Sequence, residues 1–390
     1  MPYHPKKILW LISGNMENDS LLNIVQRILP QQTPKEWDDV EHTLVTNSKA
    51  YTEFPGKTYR IREDMMLGPS MIERILGLLQ AALAGGFIHE ADIVIVPFIS
   101  LATMVNLMDT GGVVKRGTWM RRKPVIIVSP KVPVGVDSDC AEFQTTNRFF
   151  WYFVARSDNI WTGVLDNDYE RELMIEEMRK EYPQTNLSDH VFNLAMYKFT
   201  GFKDIGVEKE DVVVWQGRNN PDKGYPEAVE ILTMLTANGV KCRMFIPSSS
   251  LFRMGEIERI NARLFECNVG MDRDLYMRNQ CSAKCCIICS NTEAWPPGYI
   301  EQLERGCVPV IRKKPWMKTF LTEDWPLVFT DKGEAVEMAK EVLKNYDDYR
   351  PLLESCLKER YSTDLNFGEL LKKSWNNYLN DAHKKYSKES

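Results

Sequence analysis

The stretch SNTEAWPPGYIEQLERGCVPVI, residues 290–311, carries two glutamates, Glu293 and Glu301, with seven residues between them. Glu293 falls in a loop after an apolar run. Glu301 falls about one turn into a helix that starts at Pro297 or Gly298. Proline is tolerated there because first-turn N–H groups have no intrahelical acceptor. The remaining amides and the helix dipole favour an anion at that end. A carboxylate so placed repels phosphate, so Glu301 suits a neutral polyol such as a ribose with two hydroxyls. A plain capping role at a helix start fits both glutamates as well. A second set lies upstream, in WQGRNNPDKGY, residues 215–225. A strand runs into Gly217, then Arg218, a polar loop, Lys223 and Gly224. Glycine lets the backbone approach a ligand closely. Arg218 and Lys223 bring two positive charges to one strand end, which suits a diphosphate. A solvated turn with a helix cap accounts for the same residues.

Such groups act together only if strand ends and helix starts gather them. The apolar runs KKILWLIS (6–13), ADIVIVPFIS (91–100) and KPVIIVSP (123–130) read as strands buried on both faces of a parallel sheet. EHTLVTN and KTYRIRE are weaker strands. Helical spacing marks residues 19–29, residues 70–87 up to Gly85-Gly86, and LATMVNLM. After a mixed stretch the alternation restarts. DVVVWQG (211–217), VKCRMFIP (240–247), KCCIICS (284–290), CVPVI (307–311) and PLVFTD (326–331) read as strands. Residues 225–239, DLYMRNQ, residues 333–346 and two C-terminal segments read as helices. The pattern predicts an α/β protein of two Rossmann-like, doubly wound domains. The expected division is 1–205 and 206–390, joined at the polar segment GFKDIGVEKED, with the C-terminal helices packing back. Two such domains enclose a cleft into which strand C-termini point, and ligands bind there.

Glu-x7-Glu followed by Gly306-Cys307-Val308-Pro309-Val310-Ile311 resembles the signature of retaining GT-B glycosyltransferases, the family of sucrose-phosphate synthases and bacterial mannosyltransferases. The Gly-Arg…Lys-Gly loop matches at the expected place. VGMDRDLYM (269–277) resembles the segment beside the nucleotide base, which makes Met271 a donor contact. The resemblance covers roughly Val212 to Tyr346, and its two motifs in order are fairly specific. It implies a sugar donor activated as a nucleotide diphosphate and transfer of a hexose or pentose with retention at the anomeric carbon. Arg218 and Lys223 would hold the diphosphate, Glu301 the ribose, and Glu293 the transferred sugar. Gly217, Ala294 and Trp295 would line the donor, and the loop at Gly14 would close over it. The resemblance implies no cofactor and no required metal, because Arg and Lys take the metal's place.

This chain departs from the pattern. Ala294-Trp295-Pro296-Pro297 stands where Gly-Phe-Gly usually follows the first glutamate. Proline removes N–H donors, which implies an altered sugar pocket. Ser129-Pro130-Lys131 stands where many members carry a histidine, and the first loop has one glycine where two are common.

The run from Lys115 to Lys123 holds Arg116, Trp119, Arg121 and Arg122. It reads as a solvated basic loop or as a site for a phosphate-rich acceptor, DNA or an anionic lipid. The acceptor is therefore either a glycan, lipid-linked sugar or small molecule, or a hydroxylated base in DNA, as in phage glucosyltransferases. A nucleotide-sugar-binding scaffold without transfer activity is the third reading. The net charge of −5 gives no global pull toward nucleic acid. Cys281, Cys285, Cys286 and Cys289 read as small buried hydrophobes. Asp166-Asn167-Asp168 and Asp272-Arg273-Asp274 match D-x-D, a pattern common by chance. Nine cysteines at irregular spacings suit a reducing compartment. No run approaches the roughly 18 apolar residues of a spanning helix. The expected location is the cytoplasm, or a host's cytoplasm for a viral protein.

Overall fold

A computed structural model describes residues 4–12, 32–46, 54–61, 71–97, 99–108, 123–128, 154, 157–165, 168–181, 183, 190–195, 197–203, 206–247, 254–291, 293 and 297–389. The chain forms two compact units, residues 1–196 with 364–390, and residues 197–363.

The first unit carries a seven-stranded sheet. Its strands are β1 (Lys7–Ile12), β2 (Glu41–Thr46), β3 (Lys57–Arg60), β4 (Ile93–Val96), β5 (Val125–Val128), β6 (Ile160–Leu165) and β7 (Val191–Leu194), in the order β3-β2-β1-β4-β5-β6-β7. Every pairing is parallel. Ile8 to Ile12 are at most 1% exposed, as a strand covered on both faces requires. The expected strand over 91–100 stops at Val96, and a helix begins at Ile99. Pro97 lies between them and has no N–H for the ladder. The helix expected over 70–87 spans Met71–Ala84 and ends ahead of Gly86, whose φ of 73° is left-handed. β6 and β7 lie beyond the strands that the sequence marks. The helix expected over 19–29 lies outside the described residues.

The second unit carries β8 (Glu210–Gln216), β9 (Lys241–Ile246), β10 (Glu266–Val269), β11 (Ala283–Ile288), β12 (Val308–Arg312) and β13 (Val328–Phe329), in the order β10-β9-β8-β11-β12-β13. These pairings are parallel too. Helices Tyr225–Ala237, Lys332–Lys344 and Tyr346–Arg360 pack on this core through Ile231, Leu235, Val336, Val342 and Leu353. An Asp331–Glu334 capping box starts Lys332–Lys344. After β9 the chain forms the helix Met254–Arg263 and then β10 at the sheet edge.

The chain passes between units at 196/197 and returns at 363/364. The return is held by side chains. Asn366 Nδ2 donates to the Asn193 carbonyl at 3.0 Å, and the Ala195 N–H donates to Asn366 Oδ1 at 2.9 Å. Phe367, the first residue of the helix Phe367–Glu389, packs its ring 6.0 Å from Trp10. The sequence reading places the division at 205/206 and has the C-terminal helices of 206–390 pack back. Among the described residues no helix is long and apolar enough to cross a membrane.

Candidate active site

The second sheet changes direction at β8 and β11. The chain adds β9 and β10 on one side of β8, then crosses to lay β11 on the other. The C-terminal ends of β8 and β11 therefore lie side by side, the position where open α/β sheets bind ligands.

Beyond β8, Gly217 leads through Arg218 into a 3-10 turn, Pro221–Lys223. Asn220 caps it, its side chain accepting from the Lys223 N–H at 3.3 Å. Gly224 follows with a φ of 65°. A Cβ there would lie 2.3 Å from the carbonyl oxygen of Cys289. Only glycine lets the turn press onto the end of β11 and still enter the helix Tyr225–Ala237.

That contact brings the two loops together. Lys223 Nζ lies 2.5 Å from Glu293 Oε1. The Glu293 side chain is 6% exposed and that of Lys223 21%, so the pair is largely shielded. Beside it, Ser290 Oγ and the Tyr299 hydroxyl share a hydrogen bond of 2.8 Å. Burial holds the Tyr299 phenol well above its ordinary range, and the charge on Glu293 raises it further. Tyr299 therefore stays neutral.

The helix Pro297–Leu303 starts against β8. A Cβ on Gly298 would sit 2.7 Å from Gln216 Nε2. Gln216 Oε1 accepts from Gln280 Nε2 at 2.6 Å and from the Tyr276 hydroxyl. Gln216 and Gln280 are buried, so this shared acceptor locks the end of β8 to the helix Arg273–Ser282.

No family model matches the chain, and no curated protein matches it in sequence. Solved structures do match. WaaG, a glycosyltransferase involved in lipopolysaccharide biosynthesis, aligns with a TM-score of 0.63 at 13% identity, over 95% of this chain and 98% of its own. HepE of Anabaena, solved in complex with UDP-glucose, aligns with a TM-score of 0.62 at 11% identity, over 96% and 100%. The chain has the GT-B glycosyltransferase fold. It spans only 55% of S. aureus TarM, solved in a complex that includes UDP, with a TM-score of 0.54 at 12% identity over 73% of this chain. At such identities the likeness is one of fold.

In this GT-B chain two of the donor-side residues named from sequence, Lys223 and Glu293, meet at the β8–β11 junction. Arg218 is exposed, and among the described residues no hydrogen bond or ion pair engages it. Glu301 is half-buried on the helix Pro297–Leu303, its carbonyl accepting from Arg305. Met271 packs half-buried against the second core and accepts a contact from Asn279 Nδ2 at 3.3 Å. Gly14, Ala294 and Trp295 lie outside the described residues, as do Lys115, Arg116, Trp119, Arg121 and Arg122.

Asp272 of the second D-x-D is a helix cap, its Oδ1 accepting from the Asp274 N–H at 2.9 Å. Cys281, Cys285, Cys286 and Cys289 are buried and unbridged. Burial raises the thiols of Cys285, Cys286 and Cys289. Among the described residues no group of His, Cys, Asp or Glu is arranged to hold a metal. Sequence reading missed Gln216, Tyr299 and Asn291. Asn291 stands two residues before Glu293, just ahead of the Glu-x7-Glu motif, and its amide, at once donor and acceptor, was the available signal.

Proposed function

We propose that the chain transfers a sugar from a nucleoside diphosphate sugar to an acceptor hydroxyl. The observation that carries this is the meeting of Lys223 and Glu293 at the β8–β11 switch point, at 2.5 Å. There a cation suited to phosphate and a carboxylate suited to sugar hydroxyls share one spot. The UDP-glucose held by HepE and the UDP held by TarM support a nucleotide donor.

In this reading Lys223 turns from Glu293 to the diphosphate, and Arg218 joins it from solvent. The bond between C1 of the sugar and the phosphate oxygen breaks, and its electron pair leaves with the diphosphate. Two cations aimed at that oxygen stabilise the developing charge. They supply the role a metal would otherwise take. The acceptor oxygen bonds to C1, and its proton passes to the departing phosphate. Glu293 contacts the sugar, Glu301 the ribose, and Gly217, Met271, Ala294 and Trp295 line the donor; the family resemblance assigns Gly14 to the donor as well. The Glu-x7-Glu spacing argues for retention, and Pro296-Pro297 for a sugar other than glucose or mannose.

A thermal-shift panel of nucleoside diphosphates and their sugars tests the donor, because a ligand that binds only the native state raises its stability. Transfer is then assayed on glycan, lipid-linked and hydroxymethylated-DNA acceptors, with the product's anomeric proton read by NMR. The DNA arm carries the reading of Lys115, Arg116, Trp119, Arg121 and Arg122 as an acceptor patch. Binding without hydrolysis or transfer of any donor would make the chain a scaffold. The buried free thiols suit a reducing, cytoplasmic setting.

A further inference from the structure

Lys223 is held at its ammonium by Glu293, but the two residues before it are held by a different residue. The Asn291 N–H donates to the Asp222 carbonyl at 2.8 Å. Asn291 Nδ2 donates to the Pro221 carbonyl at 2.9 Å. Its remaining side-chain atom, Oδ1, accepts from Arg312 Nη1 at 2.9 Å. Arg312 is itself paired with Glu227 at 2.7 Å, on the helix that leaves the Lys223 turn. Three consecutive residues of the turn, Pro221, Asp222 and Lys223, are thus gripped by the loop that ends at Glu293.

The grip depends on an amide. Oδ1 must accept from a guanidinium while Nδ2 donates to a carbonyl, and among side chains of this length only asparagine does both. Arg312 ends β12, next to β11, so it ties the orientation of Asn291 to the sheet. Its guanidinium is committed to Asn291 and Glu227, which separates its role from that of exposed Arg218.

We infer that Asn291, oriented by the Arg312–Glu227 pair, is a positioning residue that sets Lys223 against the donor's second phosphate. This rests on the reading of the site as a nucleoside diphosphate pocket. Asn291 is assigned no contact with substrate. A small displacement of a charged group from its productive place weakens its interaction steeply.

The experiment compares binding of UMP and UDP, and of GMP and GDP, by calorimetry in the wild type, Asn291→Ala and Asn291→Asp. Asn291→Asp keeps an acceptor for Arg312 and loses the donor to Pro221. The wild type is expected to favour a diphosphate over its monophosphate. Both variants are expected to narrow that preference about 5- to 20-fold, with monophosphate affinity unchanged. An unchanged preference in both variants, with normal folding by circular dichroism, overturns the inference. Equal loss for both nucleotides also overturns it, since that marks a general structural role. A wild type that binds neither diphosphate refutes the donor reading instead. In that case the rate at which an acetylating reagent labels Lys223, read by peptide mass spectrometry, decides the positioning alone. A several-fold faster rate in Asn291→Ala supports it, and an equal rate sinks it.

Discussion

Lys223 and Glu293, seventy residues apart in sequence, meet at 2.5 Å at the ends of two neighbouring strands. In the proposed function a diphosphate takes the same ammonium, so donor binding would compete with Glu293 for it. Glu293→Gln removes the competing charge with little change of shape. It is expected to bind a nucleoside diphosphate several-fold more tightly and to lose transfer by about 100-fold or more. Calorimetry beside initial-rate assays checks the split. Weaker binding in Glu293→Gln would show that the pair holds Lys223 ready and does not compete.

Lys223→Ala leaves a carboxylate 6% exposed with no ion-pair partner among the described residues. Removing one partner of a buried pair costs about 3–5 kcal/mol. Lys223 is partly exposed, so a loss of about 2–3 kcal/mol is expected by urea denaturation. The double substitution Lys223→Ala/Glu293→Gln should recover most of it, because no buried charge then stands alone.

Arg218 offers the opposite profile. It is exposed and engaged by no described residue. Arg218→Ala should leave stability within about 0.5 kcal/mol of wild type and weaken nucleoside diphosphate binding about tenfold. A stability loss without a binding loss would remove Arg218 from the site.

Gly224 tests the contact that joins the loops. Gly224→Ala meets the Cys289 carbonyl oxygen at 2.3 Å and has a left-handed φ of 65°. Gly239 has a similar φ of 78° with nothing within 4 Å of its Cβ position. Gly239→Ala should cost about 1 kcal/mol, the backbone term alone. Gly224→Ala should cost on the order of 1–3 kcal/mol more and weaken diphosphate binding. Equal losses in urea titrations would refute the close approach.

The fold was legible because buried parallel strands leave long apolar runs. Ile8 to Ile12 and Val212 to Trp215 are such runs, and glycines mark where their loops turn. β10, with the sequence ECNV, is short and half polar, and β6 carries Thr162 and Gly163, so neither stands out. C-terminal helices packing back were legible in the sequence, but the Asn366 bonds to Asn193 and Ala195 were not, because side-chain hydrogen bonds have no periodicity. At the site, the residue types flanking glycine and proline pointed to phosphate and sugar. The pairing of Lys223 with Glu293 was hidden because it depends on β11 crossing back to lie beside β8. Asn291 and Gln216 act through the same adjacency, which no local spacing encodes.

His42 gives the first unit a defined acid limit. Trp10 Nε1 donates to His42 Nδ1 at 3.0 Å, and Thr33 Oγ1 lies 3.2 Å from Nε2. The imidazole is therefore neutral, with its proton on Nε2. Burial lowers its pKa to about 4. An unfolded chain protonates this histidine below about 6.5, while the folded one does so only near 4. Its contribution to stability is thus full above pH 6.5 and is lost as pH falls toward 4. The loss amounts to about 3 kcal/mol at most, because each tenfold difference in proton affinity between the folded and unfolded chain is worth roughly 1.4 kcal/mol. Asp39, held at about 2 by Lys6 and His4, loses its contribution only at lower pH. His42→Gln keeps an acceptor for Trp10 and a donor for Thr33 without the titration. Urea titrations at pH 7.5 and 4.5 should show a smaller loss in His42→Gln than in wild type. Parallel losses would mean that another group governs the acid side.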